Sequence, residues 1–188
     1  MNLFSGLYRS GADWFPVGLA SSFPDLGDDD IISAPRACNA ETKPGCKVFQ
    51  VPTTDSTQAS EIEFSEESIN AYEGDDELKT QVLVFQYRGK FHAIDHQCPH
   101  SSFPLSKGIP FDIEDFGVVL SAGLTCPKHG WSFDLFTGTS DRGNYRLKVW
   151  EVQLRDIKGS LSLLPSKEVD SSEKPDKEVW VRRKQRMG

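Results

Sequence analysis

Two short cysteine–histidine pairs constrain this chain more than any other feature of its sequence. One residue separates Cys98 from His100, two residues separate Cys126 from His129, and 25 residues lie between the pairs. Both pairs lie in stretches rich in Gly, Pro and Ser, which predicts loops. Thiolates and imidazoles bind metals, so we expect the fold to bring the two loops together around a metal centre.

Each pair combines one Cys with one His, which favours a binuclear centre. Each loop can give its Cys to one iron and its His to the other, as in a [2Fe-2S] cluster with two histidines on one iron. Structural zinc of the Cys2His2 type is the alternative, but such sites usually pair like ligands from one turn. The spacing favours the cluster and leaves zinc open.

The residues after the second pair add a resemblance to a known family. Residues 130–135 read Gly-Trp-Ser-Phe-Asp-Leu and are followed by a Thr-Gly turn. Together with the two pairs, this segment resembles the Rieske family of ferredoxins and oxygenases. The resemblance implies one cluster per chain, with Cys98 and Cys126 on the inner iron and His100 and His129 on the outer iron near solvent.

The same resemblance predicts where the reduction potential lies. High-potential Rieske proteins have an extra Cys in each loop, at the positions of Phe103 and Lys128, and a Ser and a Tyr at those of Trp131 and Phe133. Hydrogen bonds to the sulfurs raise the potential. We therefore expect a potential at the low end of the Rieske range of about −150 to +300 mV. Trp131 and Phe103 are expected to shield the cluster.

Many short segments of apolar or alternating character predict an all-β fold, an antiparallel sandwich or barrel whose two loops form a cluster-binding subdomain. The predicted strands cover residues 14–20, 46–52, 81–87, 91–94, 117–121, 133–136, 137–139, 148–154 and 160–164.

The length predicts one domain, over residues 14–165. Residues 53–80 are expected to form an acidic surface insertion with a short helix at 66–72, because residues 61–77 contain eight acidic and no basic side chains. Residues 166–188 are charged and poor in apolar side chains, so we expect a flexible tail there.

The remaining cysteines and histidines are expected to be structural. Cys38 and Cys46 lie in a turn-rich segment, and free thiols are favoured over a bridge because an intracellular chain normally keeps its thiols reduced. His92 and His96 are expected to be ordinary strand and loop residues rather than proton relays or docking contacts.

Composition excludes several classes of function. A net charge of −7 disfavours nucleic-acid binding. No apolar run approaches the roughly 18 residues of a membrane span, and the first residues do not resemble a signal peptide, so we expect a cytoplasmic location. The chain has four histidines, too few for a cluster and the mononuclear iron site of a Rieske oxygenase.

The sequence therefore predicts a monomeric one-electron carrier, not an enzyme, similar to Rieske-type ferredoxins. It would take electrons from a reductase and pass them to an oxygenase or another oxidoreductase. A cluster-based redox sensor and a zinc-stabilised interaction module remain the alternatives.

Overall fold

The computed structural model describes residues 13–27, 45–63, 76–157 and 175–184. Within these residues the fold is all-β, as predicted, with short 3-10 helices at Ala20–Ser22, Ser56–Gln58, Asp76–Thr80 and Leu105–Lys107. None of the helices in the described ranges is long and apolar enough to cross a membrane. The strands are β1 (Phe15–Leu19), β2 (Cys46–Gln50), β3 (Ser60–Ile62), β4 (Gln81–Tyr87), β5 (Lys90–Asp95), β6 (Ile109–Asp115), β7 (Val118–Cys126), β8 (Trp131–Asp134), β9 (Glu151–Asp156) and β10 (Lys177–Arg182).

The strands form three antiparallel sheets, ordered β1-β10-β9, β3-β2-β4-β5 and β6-β7-β8. The second of these, the central sheet, separates two apolar cores. Leu83 and Phe85 of β4 point into the first core, and Val82 and Val84 into the second. Successive side chains of a strand point to opposite faces, so a strand buried on both faces must be apolar almost throughout. This explains the continuous apolar run of β4.

The sheet β6-β7-β8 packs on the first core and carries the second predicted ligand loop. Leu124 of β7 pairs with Phe133 of β8, and both are buried in that core. Cys126 ends β7, which is longer than the predicted strand at 117–121. At the other end of β7, Phe116 and Gly117 both have positive φ, as a tight two-residue hairpin turn requires.

The prediction of a flexible tail over residues 166–188 is wrong for Lys177–Arg182. This segment is β10, the middle strand of its sheet, paired with both β1 and β9. Val179 and Val181 are 0% exposed and belong to the second core. Valines at alternate positions are typical of a strand with one buried face. The many charged residues around them made this pattern difficult to recognise in the sequence.

The predicted insertion at residues 53–80 is also partly built into the fold. Ser60–Ile62 is an edge strand of the central sheet, paired with β2. The predicted helix at 66–72 lies outside the described residues. The predicted strand at 160–164 also lies outside them. Among the described residues, β9 pairs with β10.

Cys46 is disulfide-bonded, which corrects the prediction that it is a free thiol. Cys38 lies outside the described residues. Because disulfides are uncommon in a reducing compartment, the cytoplasmic location stays a prediction.

We predict that β10 contributes to the stability of the whole fold. Val181→Ala should lower the free energy of unfolding by about 2 kcal/mol, since it deletes buried methyl groups and leaves a cavity. Lys177→Ala, on an exposed position of the same strand, is the matched control and should change stability by less than about 0.5 kcal/mol. Urea unfolding measures both. Equal, small effects would show that β10 does not pack on the core.

Candidate metal centre

The two predicted ligand loops fold into the same kind of turn. In the first loop the amide of Ser102 donates to the carbonyl of Cys98 at 2.9 Å. In the second, the amide of Gly130 donates to the carbonyl of Cys126 at 3.0 Å. Each turn closes four residues after its cysteine. The cysteine is therefore the first residue of the turn, and the histidine lies within it.

The loops bring their two thiols together at the inner end of the site. Cys98 and Cys126 are each 1% exposed, belong to the first core and hydrogen-bond to each other. The hydroxyl of Ser101 lies 3.8 Å from the sulfur of Cys126. Backbone amides of His100 and Ser101 also donate to Cys98, and that of Lys128 donates to Cys126. The pair is therefore surrounded by donors that favour thiolate sulfur.

Mutual hydrogen bonding drives the two thiol pKa values apart. The bond from Cys126 is the largest cause that lowers the pKa of Cys98 to about 5, against the opposing effect of burial. The same bond and burial raise the pKa of Cys126. Ionisation of Cys98 therefore disfavours ionisation of Cys126, because two negative charges would lie side by side. A bound metal cation would stabilise both thiolates.

The two imidazoles form a second pair, closer to solvent. The ring centroids of His100 and His129 are 5.1 Å apart. His100 is half-buried and His129 is exposed. Nδ1 of His100 is buried without a hydrogen-bond partner among the described residues. A buried ring nitrogen in this state costs free energy unless a ligand or water satisfies it, as a metal would.

An aromatic cap covers the imidazole pair from one side. Trp131 stacks on His100 with ring centroids 4.4 Å apart, and Tyr145 meets the same imidazole edge-on at 5.2 Å. Gly143 allows this close packing, because a Cβ there would lie 2.8 Å from the Trp131 ring and the φ is +64°. The indole thus covers one face of His100, and its shielding of the cluster stays a prediction.

Sequence reasoning missed Ser101 and Tyr145. Ser101 adjoins a predicted ligand, but its hydroxyl was not assigned to the sulfur of the other loop. Tyr145 lies in no motif, and nothing local indicates that it reaches His100. Phe103, predicted to shield the cluster, is buried in the first core. The ammonium of Lys128, in the second loop, lies 5.5 Å from the centroid of its ring.

A buried histidine anchors the first loop from below. Nδ1 of His96 lies 2.7 Å from the amide oxygen of Gln81, and Nε2 lies 2.8 Å from the hydroxyl of Ser106. The neutral ring satisfies both contacts when Nδ1–H donates and Nε2 accepts. Burial lowers the pKa of His96 to about 3. His96 is therefore a structural residue two positions before Cys98, as expected.

His92 is also buried, at 4% exposed, which excludes the role of a docking contact. Its ring packs against Phe85 and Phe136, with centroids 5.6 and 5.2 Å away. Burial, followed by the charge of Lys90, lowers the pKa of His92 to about 4, against the opposing charge of Asp134. The ring is therefore neutral near pH 7.

The donors are arranged as two like pairs, with thiols inside and imidazoles outside. A binuclear cluster takes two protein donors at each iron, whereas structural zinc takes all four on one ion. The buried thiolate-favouring pair and the unpartnered Nδ1 of His100 fit the binuclear group.

Comparison with known proteins decides the family. Residues 46–150, more than half of the chain, match the Rieske [2Fe-2S] domain. The chain belongs to the Rieske [2Fe-2S] domain family. A Rieske domain holds a single [2Fe-2S] cluster, and the matched segment includes both loops.

Curated relatives share parts of this Rieske domain. The chain is 42% identical over 59 residues to "Apoptosis-inducing factor 3" of Homo sapiens, covering 31% of this chain and 8% of that protein. It is 40% identical over 58 residues to "Rieske domain-containing protein" of Homo sapiens, covering 31% and 34%. It is 32% identical over 82 residues to "Methanesulfonate monooxygenase ferredoxin subunit" of Methylosulfonomonas methylovora, covering 42% and 58%. The matches therefore span less than two thirds of each relative.

We predict that the neutral, buried ring of His92 makes the free energy of unfolding depend on pH, with stability lost in acid. In the unfolded chain the ring has a pKa near the ordinary value of 6.5, whereas in the folded chain it is about 4. The unfolded state therefore binds more protons below pH 6.5, and stability present above that pH is lost as the pH falls toward 4. The loss should reach about 3 kcal/mol at most.

Urea unfolding between pH 7.5 and 4.5 measures this dependence. His92→Phe keeps the aromatic packing and removes the titrating group, so its stability should fall less steeply over the same range. If both proteins lose stability equally, burial of neutral His92 does not cause the acid sensitivity.

Proposed function

We propose that this chain is a one-electron carrier whose Rieske cluster is held by Cys98, Cys126, His100 and His129. The observation that carries the proposal is the pairing of buried thiols with outer imidazoles, one of which has an unpartnered, buried Nδ1. When bound, the cluster supplies one reversible electron. The ferredoxin subunit among the relatives supports this role.

The protein side chains divide the work of such a carrier between them. The buried thiols, with their backbone amide donors, would hold one iron of the cluster away from water. His129 is exposed and offers the edge through which a partner protein can approach. Trp131 and Tyr145 keep solvent from one face of His100. The arrangement favours electron exchange at the surface without exposure of the sulfurs.

We propose a role without catalysis, which the ferredoxin subunit among the relatives supports. The two histidines outside the proposed ligand set, His92 and His96, are buried within the fold. In this role the chain accepts electrons from a reductase and donates them to an oxygenase or another oxidoreductase.

We also propose a potential at the low end of the Rieske range. Phe133, where high-potential relatives place a hydroxyl, is buried in the first core, and Trp131 stacks on His100. Ser101 modifies this expectation, because its hydroxyl reaches the sulfur of Cys126. A hydroxyl that donates to sulfur stabilises the reduced, more negative cluster. Ser101 should therefore raise the potential within the low range.

The first test is metal and acid-labile sulfide analysis of anaerobically purified protein, with EPR after reduction by dithionite. We expect two irons and two sulfides per chain and an anisotropic signal. His129→Ala should abolish or alter the signal, whereas Lys128→Ala on the same exposed loop should preserve it. One zinc per chain without sulfide would establish the zinc-stabilised module instead.

A redox titration tests the role of Ser101. Ser101→Ala should lower the potential by roughly 20 to 60 mV, the equivalent of one hydrogen bond of about 0.5–1.5 kcal/mol in a one-electron couple. Ser101→Thr retains the hydroxyl and should restore the original value within about 10 mV. An unchanged potential in the alanine variant would show that the hydroxyl does not bond to the bound thiolate.

The same titration separates a carrier from a sensor. A carrier returns to its oxidised spectrum after repeated cycles, whereas loss of the cluster on oxidation would favour a redox sensor.

A further inference from the structure

A cavity lies outside the candidate metal centre. It has a volume of about 610 Å³, within the usual range for small-molecule sites. Its walls come from segments far apart in the sequence: the end of the Asp76–Thr80 helix, the end of β5, the segment 146–150 before β9 and the residues after β10. None of the four proposed cluster ligands lines it.

The lining of this cavity, which we call the basic pocket, is strongly cationic. One acidic side chain, Asp95, faces five basic ones: Lys79, Arg146, Lys148, Arg183 and Lys184. The chain as a whole carries a net charge of −7. This local excess of positive charge therefore opposes the charge of the whole molecule. A cleft lined by one sign of charge focuses its field on ligands of the opposite sign.

The acidic residue of the pocket is already occupied by other partners. Asp95 accepts a hydrogen bond from the indole nitrogen of Trp150 at 2.8 Å and lies 3.5 Å from the ammonium of Lys148. Arg146 and Lys184 make no ion pair with a carboxylate in the part of the chain that the structure describes. Their charge is therefore available to an external anion.

Arg183 is the most enclosed cation of the pocket. Its guanidinium donates to the carbonyl of Val51 at 2.9 Å and lies over the Trp150 ring, 5.0 Å from the centroid. Desolvation lowers its pKa, with Asp95 acting in the opposite sense. The carbonyl and the ring fix the orientation of the Arg183 guanidinium without neutralising its charge. Such a guanidinium is suited to phosphate oxygens, which it binds in a planar, bidentate geometry.

We propose that the basic pocket binds a small phosphate-bearing ligand through Arg146, Arg183 and Lys184. The concave shape favours a compact ligand over a flat protein surface. Several cations around one cavity favour a group with more than one negative charge, such as a diphosphate. The ligand is either a free phosphate compound or the phosphate portion of a nucleotide.

The test is isothermal titration of the full chain, with its cluster intact, at a fixed ionic strength of about 0.15 M. Pyrophosphate is the main probe, and inorganic phosphate and ATP are run in parallel. Saturable binding of pyrophosphate supports the proposal. Tighter binding of ATP than of pyrophosphate assigns the ligand to the nucleotides, and the reverse assigns it to free phosphate compounds.

Exposed basic residues inside and outside the pocket provide matched variants. Arg146→Gln and Lys184→Gln should each weaken pyrophosphate binding about tenfold, the loss of roughly one charge-assisted contact. Lys177→Gln removes the same charge from β10 outside the pocket and should change the affinity less than twofold. The iron content and visible spectrum of each variant check that its fold and cluster are retained.

Three results would overturn the proposal. The first is the absence of saturable binding with all three phosphate probes. The second is an equal loss of affinity in Lys177→Gln and the pocket variants, which would indicate attraction to overall charge. The third is binding of an octaglutamate peptide without binding of pyrophosphate, which would make the pocket a protein docking surface. Each readout is independent of electron transfer, so the proposed carrier function is tested separately.

Discussion

The hydrogen-bonded pair of Cys98 and Cys126 is the contact on which the rest of the site depends. Both thiols belong to the first core, together with side chains of the central sheet and of β7 and β8. Apolar packing therefore sets the distance between the loops before any metal enters. Two buried thiols side by side cannot both ionise readily, because the second negative charge would lie next to the first. A bound metal cation would stabilise both thiolates.

The exposure of the proposed ligands increases from the cysteine pair toward the surface. The sulfurs are buried, His100 is half-buried beneath its aromatic cap, and His129 is open to solvent. Ser101 and the backbone amides supply polar contacts at the inner end, where water is excluded. In the proposed carrier, this order would let charge be exchanged at the surface while the sulfurs stay buried. Two strands position the loops. β5 of the central sheet ends just before the first loop, and β7 of the sheet β6-β7-β8 ends at Cys126 in the second.

One short segment, residues 145–150, contributes to the candidate metal centre, the basic pocket and the second core. Tyr145 packs on His100, Arg146 and Lys148 line the basic pocket, and Trp150 is buried in the second core. The bond from Trp150 to Asp95 ties this segment to the end of β5, shortly before the first loop. The candidate metal centre and the basic pocket therefore share a structural support although they share no lining residue.

The sequence by itself determined the features that depend on neighbouring residues. The spacing of the Cys–His pairs marked both loops, and the apolar runs of β2, β4 and β5 marked the central sheet, since a doubly buried strand has a strong local signal. Tertiary structure alone decided that Ser101 reaches Cys126, that Tyr145 covers His100 and that β10 completes the first sheet. In β10 only Val179 and Val181 are fully buried among charged neighbours, so its local signal is weak. Such contacts form between distant segments, and they depend on strand register and on which faces the other strands leave open.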